Sequence, residues 1–220
     1  MAGRTVILAG ATGLVGREIL QRLLADPTVI AVHSLGRRKP ALQHAKLTSH
    51  VVDFGALPAM PPSDEVYLAL GTTIKVAGSQ KAFRAIDYDA NLAVAKSALA
   101  AGATRLGLVS AMGADSNSKV FYSRVKGELE DVLSKMPFEG AVIARPSMLV
   151  GNREALGQPI RRGEMLAAAL GKAAGFLIPA NYKPIAASAV ATALLSTVPS
   201  ANGRTVLLSG AMRGAAHAPP

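Results

Sequence analysis

Short apolar runs alternate along this chain with longer stretches in which apolar and polar positions follow a helical period. The runs are TVILAG (5–10), VIAVHSLG (29–36), LTSHVVDF (47–54), EVYLALG (65–71), RLGLVSAMG (105–113) and GAVIARPSM (140–148), with RTVLLSG (204–210) as a last strand. They are mostly continuous rather than alternating, and they end in small or polar residues, as strands buried on both faces do. Residues 14–25, 79–101 and 119–136 read as helices between them, and 164–175 and 186–197 as helices after them. Buried strands separated by helices predict an α/β fold, a doubly wound and mostly parallel Rossmann-type sheet with helices on both faces. One domain is expected over residues 1–210, with substrate-side elements at 147–200 as a small C-terminal appendage and a flexible tail at 211–220.

Composition narrows this picture. Half of the 220 residues are apolar, enough for a substantial core. No apolar run reaches spanning length. EMLAAALGKAAGFLIP (164–179) comes nearest, but Lys172 and two glycines break it, and it predicts a mostly buried helix. The N-terminus has no signal-peptide build, so a cytoplasmic protein is expected. Without cysteine there is no disulfide, thiol nucleophile or zinc–thiolate site. His33, His44, His50 and His217 lack metal-ligand spacing, so no metal is expected. Net charge is +10, from 24 Lys and Arg against 14 Asp and Glu. Aromatic residues for base stacking are few and the cations are scattered, except at 37–39 and 161–162, so no nucleic-acid partner is expected.

Candidate chemistry begins at GATGLVG (10–16), directly after the first run. Gly10, Gly13 and Gly16 suit a tight turn, close approach of a diphosphate and close helix–strand packing; Thr12, Leu14 and Val15 complete the turn. Roughly 20 residues further on, an NAD site offers an acid to the ribose. Here the second run ends SLGRRKP, and Arg37, helped by Arg38 or Lys39, can instead pair with a 2′-phosphate. The expected cofactor is NADP(H). In FYSRVKGELE (121–130), Tyr122 and Lys126 stand one helical turn apart. The plain alternative is a solvated helix with ion pairs Arg124–Glu128 and Lys126–Glu130.

The glycine turn, the basic turn and the Tyr–Lys pair together resemble the atypical short-chain dehydrogenase/reductases. LGTTIKVAGSQKAFRAIDYD (70–89), VSAMGADSNSKVFYSRVKGELE (109–130) and ARPSMLVGNRE (144–154) resemble the branch of Tat-interacting-protein-type oxidoreductases in particular. The resemblance implies that Asp53 and Phe54 contact adenine, although a turn role for Asp53 stays open. It implies that Leu70, Gly71 and Thr72 approach the cofactor, and that Pro146 and Ser147 border the nicotinamide. Tyr122 would deliver a proton to a carbonyl oxygen, and a charged Lys126 would favour the tyrosinate and anchor the ribose. Ser110 would polarise the same oxygen.

Two positions depart from the family pattern. Many relatives carry a second serine where this chain has Ala111, so Ser110 can equally turn to the core. Asp87 stands where relatives usually have an asparagine, and it either serves a proton relay or caps a helix. The short C-terminal part favours a small-molecule substrate; Arg153, Arg161 and Arg162 read as solvated by default. Two functions stay open: an NADPH-dependent oxidoreductase acting on a small carbonyl or quinone-like compound, and an NADPH-binding regulatory or scaffold protein with little turnover. A homodimer through the fourth and fifth helices is compatible with the fold.

Overall fold

The computed structural model describes residues 3–150 and 179–215. The predicted 164–175 helix and Arg153, Arg161 and Arg162 lie outside the described residues. Strand β1 is Arg4–Ala9, and its last four residues are fully buried. Helix α1 (Leu14–Ala25) returns the chain to β2 (Val29–Gly36), and β3 is Leu47–Val51. The chain then crosses to β4 (Glu65–Leu68), runs through α2 (Ile74–Ala77), α3 (Gln80–Arg84), a π-helical turn (Ala85–Ala90) and α4 (Asn91–Ala100), and enters β5 (Arg105–Val109). Helix α5 (Phe121–Leu133) and β6 (Gly140–Arg145) follow. Two short strands, β7 (Leu149–Val150) and β8 (Ile185–Ala186), pair with each other. Helix α6 (Ala187–Thr197), β9 (Gly203–Leu208) and α7 (Ser209–Ala215) complete the described chain.

The main sheet has the order β3-β2-β1-β4-β5-β6-β9, and its pairings are parallel. Helices flank it on both sides, the Rossmann-like arrangement that the continuous apolar runs predict. On one face Val6, Leu8 and Val142 pack with Ile19 and Leu23 of α1 and Val190 and Leu194 of α6. On the other, Ile7, Leu35, Leu68 and Leu106 pack with Val94 of α4 and Leu129 of α5. Strand order reverses between β1 and β4, so the crevice at their carboxyl ends is the expected ligand position in such a sheet.

Three details differ from the sequence reading. The stretch 79–101 is not one helix: Ser79 caps α3 through the Ala82 N–H, and the π turn separates α3 from α4. The third run pairs only as far as Val51, after which Asp53 opens a turn. Residues 211–215 continue α7 rather than fraying, because Met212 is fully buried against the α1–α6 layer. Among the described residues, no helix is long and apolar enough to cross a membrane.

Candidate functional site

At the end of β1 the chain turns at Gly10, whose φ of +88° suits glycine. A Cβ there would stand 2.5 Å from the Ala69 carbonyl oxygen. A Cβ on Gly16 would lie 2.1 Å from the Gly10 oxygen, so α1 presses directly on the turn. Gly13, the N-cap of α1, offers no side-chain cap, and the first helical turn holds no acid. The N–H groups of Leu14, Val15 and Gly16 therefore lack intrahelical acceptors, and the helix end favours an anion. An uncapped, acid-free helix start behind a turn opened and closed by the Cβ-free Gly10 and Gly13 fits the diphosphate of a dinucleotide. Thr12 sits within this turn, half-buried.

Beyond β2, Arg37, Arg38 and Lys39 are all exposed. Asp53 is exposed too, and its Oδ1 accepts the Gly55 N–H at 2.9 Å, the turn role left open above. Phe54 packs beside the α4–α5 core layer. Leu70 O accepts from Asn91 Nδ2 at 3.2 Å, and the Thr72 N–H donates to Asp87 Oδ2 at 2.9 Å.

Helix α5 carries the Tyr–Lys pair. Tyr122 is half-buried, with its ring 5.5 Å from that of fully buried Phe83. Lys126 is buried, and its Nζ lies 2.8 Å from Oδ1 of Asp87, which is itself fully buried. A Cβ on Gly71 would come 3.5 Å from Asp87 Oδ1 and 3.8 Å from Lys126 Nζ, so the end of β4 roofs this ion pair. Burial alone would push the Lys126 ammonium to lose its proton. The Asp87 carboxylate in contact with it outweighs that and holds it above the ordinary lysine value. The glycine turn and the Tyr–Lys helix thus meet the same segment after β4, Gly10 against Ala69 and Lys126 against Gly71.

Ser110 belongs to a different cluster. Its Oγ donates to Glu130 Oε1 at 2.5 Å. Buried Glu130 also accepts from Arg145 Nη2 at 2.6 Å and from Arg204 Nη2 at 3.4 Å. Glu130 thus forms no surface pair with Lys126, although Arg124 and Glu128 do approach at 4.0 Å. Pro146 is buried and its carbonyl accepts the Met112 N–H; Ser147 Oγ donates to Lys183 O. Sequence reasoning missed Phe83 and Glu130. The charge of Glu130 within an otherwise amphipathic helix was visible, but its partners come from β6, β9 and the residue that follows β5.

Residues 10–155 match a family described as NAD(P)H-binding. The mitochondrial protein fmp52 of Emericella nidulans is 37% identical over 177 residues, 76% of each chain. The mitochondrial protein FMP52 of Meyerozyma guilliermondii is 34% identical over 212 residues, covering 93% of this chain and 91% of its own. An oxidoreductase of the short-chain dehydrogenase/reductase family from Burkholderia thailandensis has the same fold. It superposes with a TM-score of 0.71 at 19% identity, over 97% of this chain and 94% of that one. These relatives correct the cytoplasmic expectation, since both FMP52 proteins are named as mitochondrial. That expectation rested on a missing secretory build, which bears on export and not on entry into an organelle.

Proposed function

We propose, from the premise that this chain belongs to the NAD(P)H-binding family, that it is an NADPH-dependent oxidoreductase reducing a small carbonyl or quinone-like compound. One observation carries the reading: a buried, charged Lys126 lies one turn from half-buried Tyr122, under the same β4 end that meets the glycine turn. Gly10, Thr12, Gly13, Leu14, Val15 and Gly16 would hold the diphosphate, with Leu70, Gly71 and Thr72 beside the ribose and Pro146 beside the nicotinamide. Arg37 and Arg38 would meet the 2′-phosphate; Phe54 would border the adenine, with Asp53 shaping its turn. When bound, the reduced nicotinamide supplies a hydride to the carbonyl carbon. Tyr122 gives its phenolic proton to the carbonyl oxygen, so the product is an alcohol, and the tyrosinate left behind faces the Lys126 ammonium.

A second reading has its own support. The Ser110 hydroxyl is held by Glu130, and Ala111 has no hydroxyl to replace it. Polarising a substrate would oblige Ser110 to leave Glu130, which favours a cofactor-binding regulatory protein with little turnover.

Calorimetric titration of the full chain with NADPH and NADH, repeated with Arg37→Ala, tests the cofactor half. NADPH should bind more tightly, and the variant should lose about tenfold or more of that preference, the worth of one charge-assisted bond. Equal binding of both nucleotides by both proteins removes the NADPH assignment. A screen of aldehydes, ketones and quinones then separates the two readings. An enzyme loses about 10²–10⁴-fold in turnover as Tyr122→Phe while keeping NADPH affinity. A binding protein turns over nothing in either form.

A further inference from the structure

Asp87 is an unusual neighbour for a lysine that is to assist a tyrosine. Both groups of the pair are buried, and an ion pair out of water costs about as much in desolvation as it returns. Stability is therefore a poor account of why it is there. The carboxylate is also fixed rather than free to swing. Its Oδ2 accepts the Thr72 N–H at 2.9 Å, and its Oδ1 faces Lys126 Nζ at 2.8 Å. Asp87 lies in the π turn, where an extra residue is fitted into the helix. That turn is pinned by Asn91 Nδ2, which donates to Ile86 O, Asp87 O and Leu70 O. Three elements thus converge on one carboxylate: the end of β4, the π turn and α5.

We infer that Asp87 is a positioning residue for Tyr122: it offsets the Lys126 charge, so that the Tyr–Lys pair is set to donate a proton rather than accept one. The inference deepens the reductase reading and rests on it for the direction of the chemistry. A bare ammonium one turn from a phenol favours the phenolate. An ammonium in contact with a fixed carboxylate presents a dipole instead, and its effect at the phenol is much weaker. Other charges leave this balance in place. Glu130, on the next turn of α5, is matched by Arg145 of β6 and Arg204 of β9. Glu128 is matched by Arg84 and Arg124 at the outer rim, with the Arg84 guanidinium over the Tyr88 ring. Asp87 and Lys126 remain as the buried ion pair whose lysine stands one helical turn from Tyr122.

The test needs no substrate. Ionisation of Tyr122 is followed by ultraviolet absorbance in the full chain without nucleotide, as each protein minus its Tyr122→Phe counterpart. Asp87→Asn keeps an acceptor for the Thr72 N–H but removes the charge. Its Tyr122 midpoint should fall by about one pH unit. The double variant Asp87→Asn/Lys126→Met removes both charges of the pair, and its midpoint should return to within about 0.3 unit of the starting protein. An unshifted single variant overturns the inference. So does a double variant that titrates well above the starting protein, because Lys126 would then act on Tyr122 unscreened. If the single variant does not fold, the double variant alone decides. Failure of NADPH binding with these shifts intact would remove the reductase reading and leave the pair's role standing.

Discussion

A methyl group at residue 16 would stand 2.1 Å from the Gly10 carbonyl oxygen, a distance that only movement of α1 or of the turn can relieve. Gly16→Ala should therefore lower stability by about 1–3 kcal/mol, the usual cost of forcing volume into a packed site. It should also weaken NADPH binding by about tenfold or more, because the helix start would no longer sit against the turn. Denaturant unfolding and nucleotide titration of the same preparation check both effects. This residue was legible in the sequence because its role depends on neighbours six positions away or fewer. Tyr122 and Lys126 were legible for the same reason, since one helical turn fixes their relation. Ser110 was not. Its hydroxyl finds Glu130 20 residues later, in a cluster completed by Arg145 and Arg204, and no local spacing reveals that meeting. Asp87 falls between these cases: its place near the site could be expected, but its contact with Lys126 depends on how the π turn aims it.

Among the elements, the strands were the easiest to read. Continuous apolar runs such as TVILAG and GAVIAR are what a parallel sheet covered on both faces demands; β1 overlaps the first and β6 coincides with the second. The region 79–101 was harder, because a π turn keeps the apolar period of a helix nearly intact while changing which residues point inward. The outer pair of strands carries a pH prediction. His33 of β2 and His50 of β3 meet at 3.2 Å between Nδ1 and Nε2. Burial, and then the neighbouring His50, hold His33 below the ordinary imidazole value. A base with a depressed folded value prefers the native state while it is neutral. Its contribution is complete above about pH 6.5 and is lost as pH falls through the lower folded value. Thermal midpoints should accordingly drop between about pH 7.5 and about pH 5.5, and His33→Gln should flatten that drop. A midpoint that rises on acidification over this range would contradict the sign.

At the scale of the whole molecule, one sheet organises two core layers, and the crevice between β1 and β4 touches both. α1 belongs to the β1 side of that crevice and to the α6 layer; α5 belongs to the Tyr–Lys side and to the α4 layer. A nucleotide bound there would bridge elements that unfolding separates, so its binding energy should appear as global stability. At a concentration about 100-fold above its dissociation constant, one ligand adds about 2.7 kcal/mol. For a chain of this size that corresponds to a rise of about 5–11 °C in the thermal midpoint. NADPH should produce this rise, NADH at equal concentration a smaller one, and NADPH with Gly16→Ala at most about half of it, since tenfold weaker binding leaves about 1.4 kcal/mol. The form of the transition matters as much as its position. If residues 1–210 are one cooperative unit, the whole transition moves with NADPH and stays single. Two transitions, with only the earlier or the later responding to NADPH, would divide the chain into a nucleotide-binding part and an independent remainder. Scanning calorimetry with and without NADPH separates these outcomes, since the calorimetric and van't Hoff enthalpies agree only for a single unit.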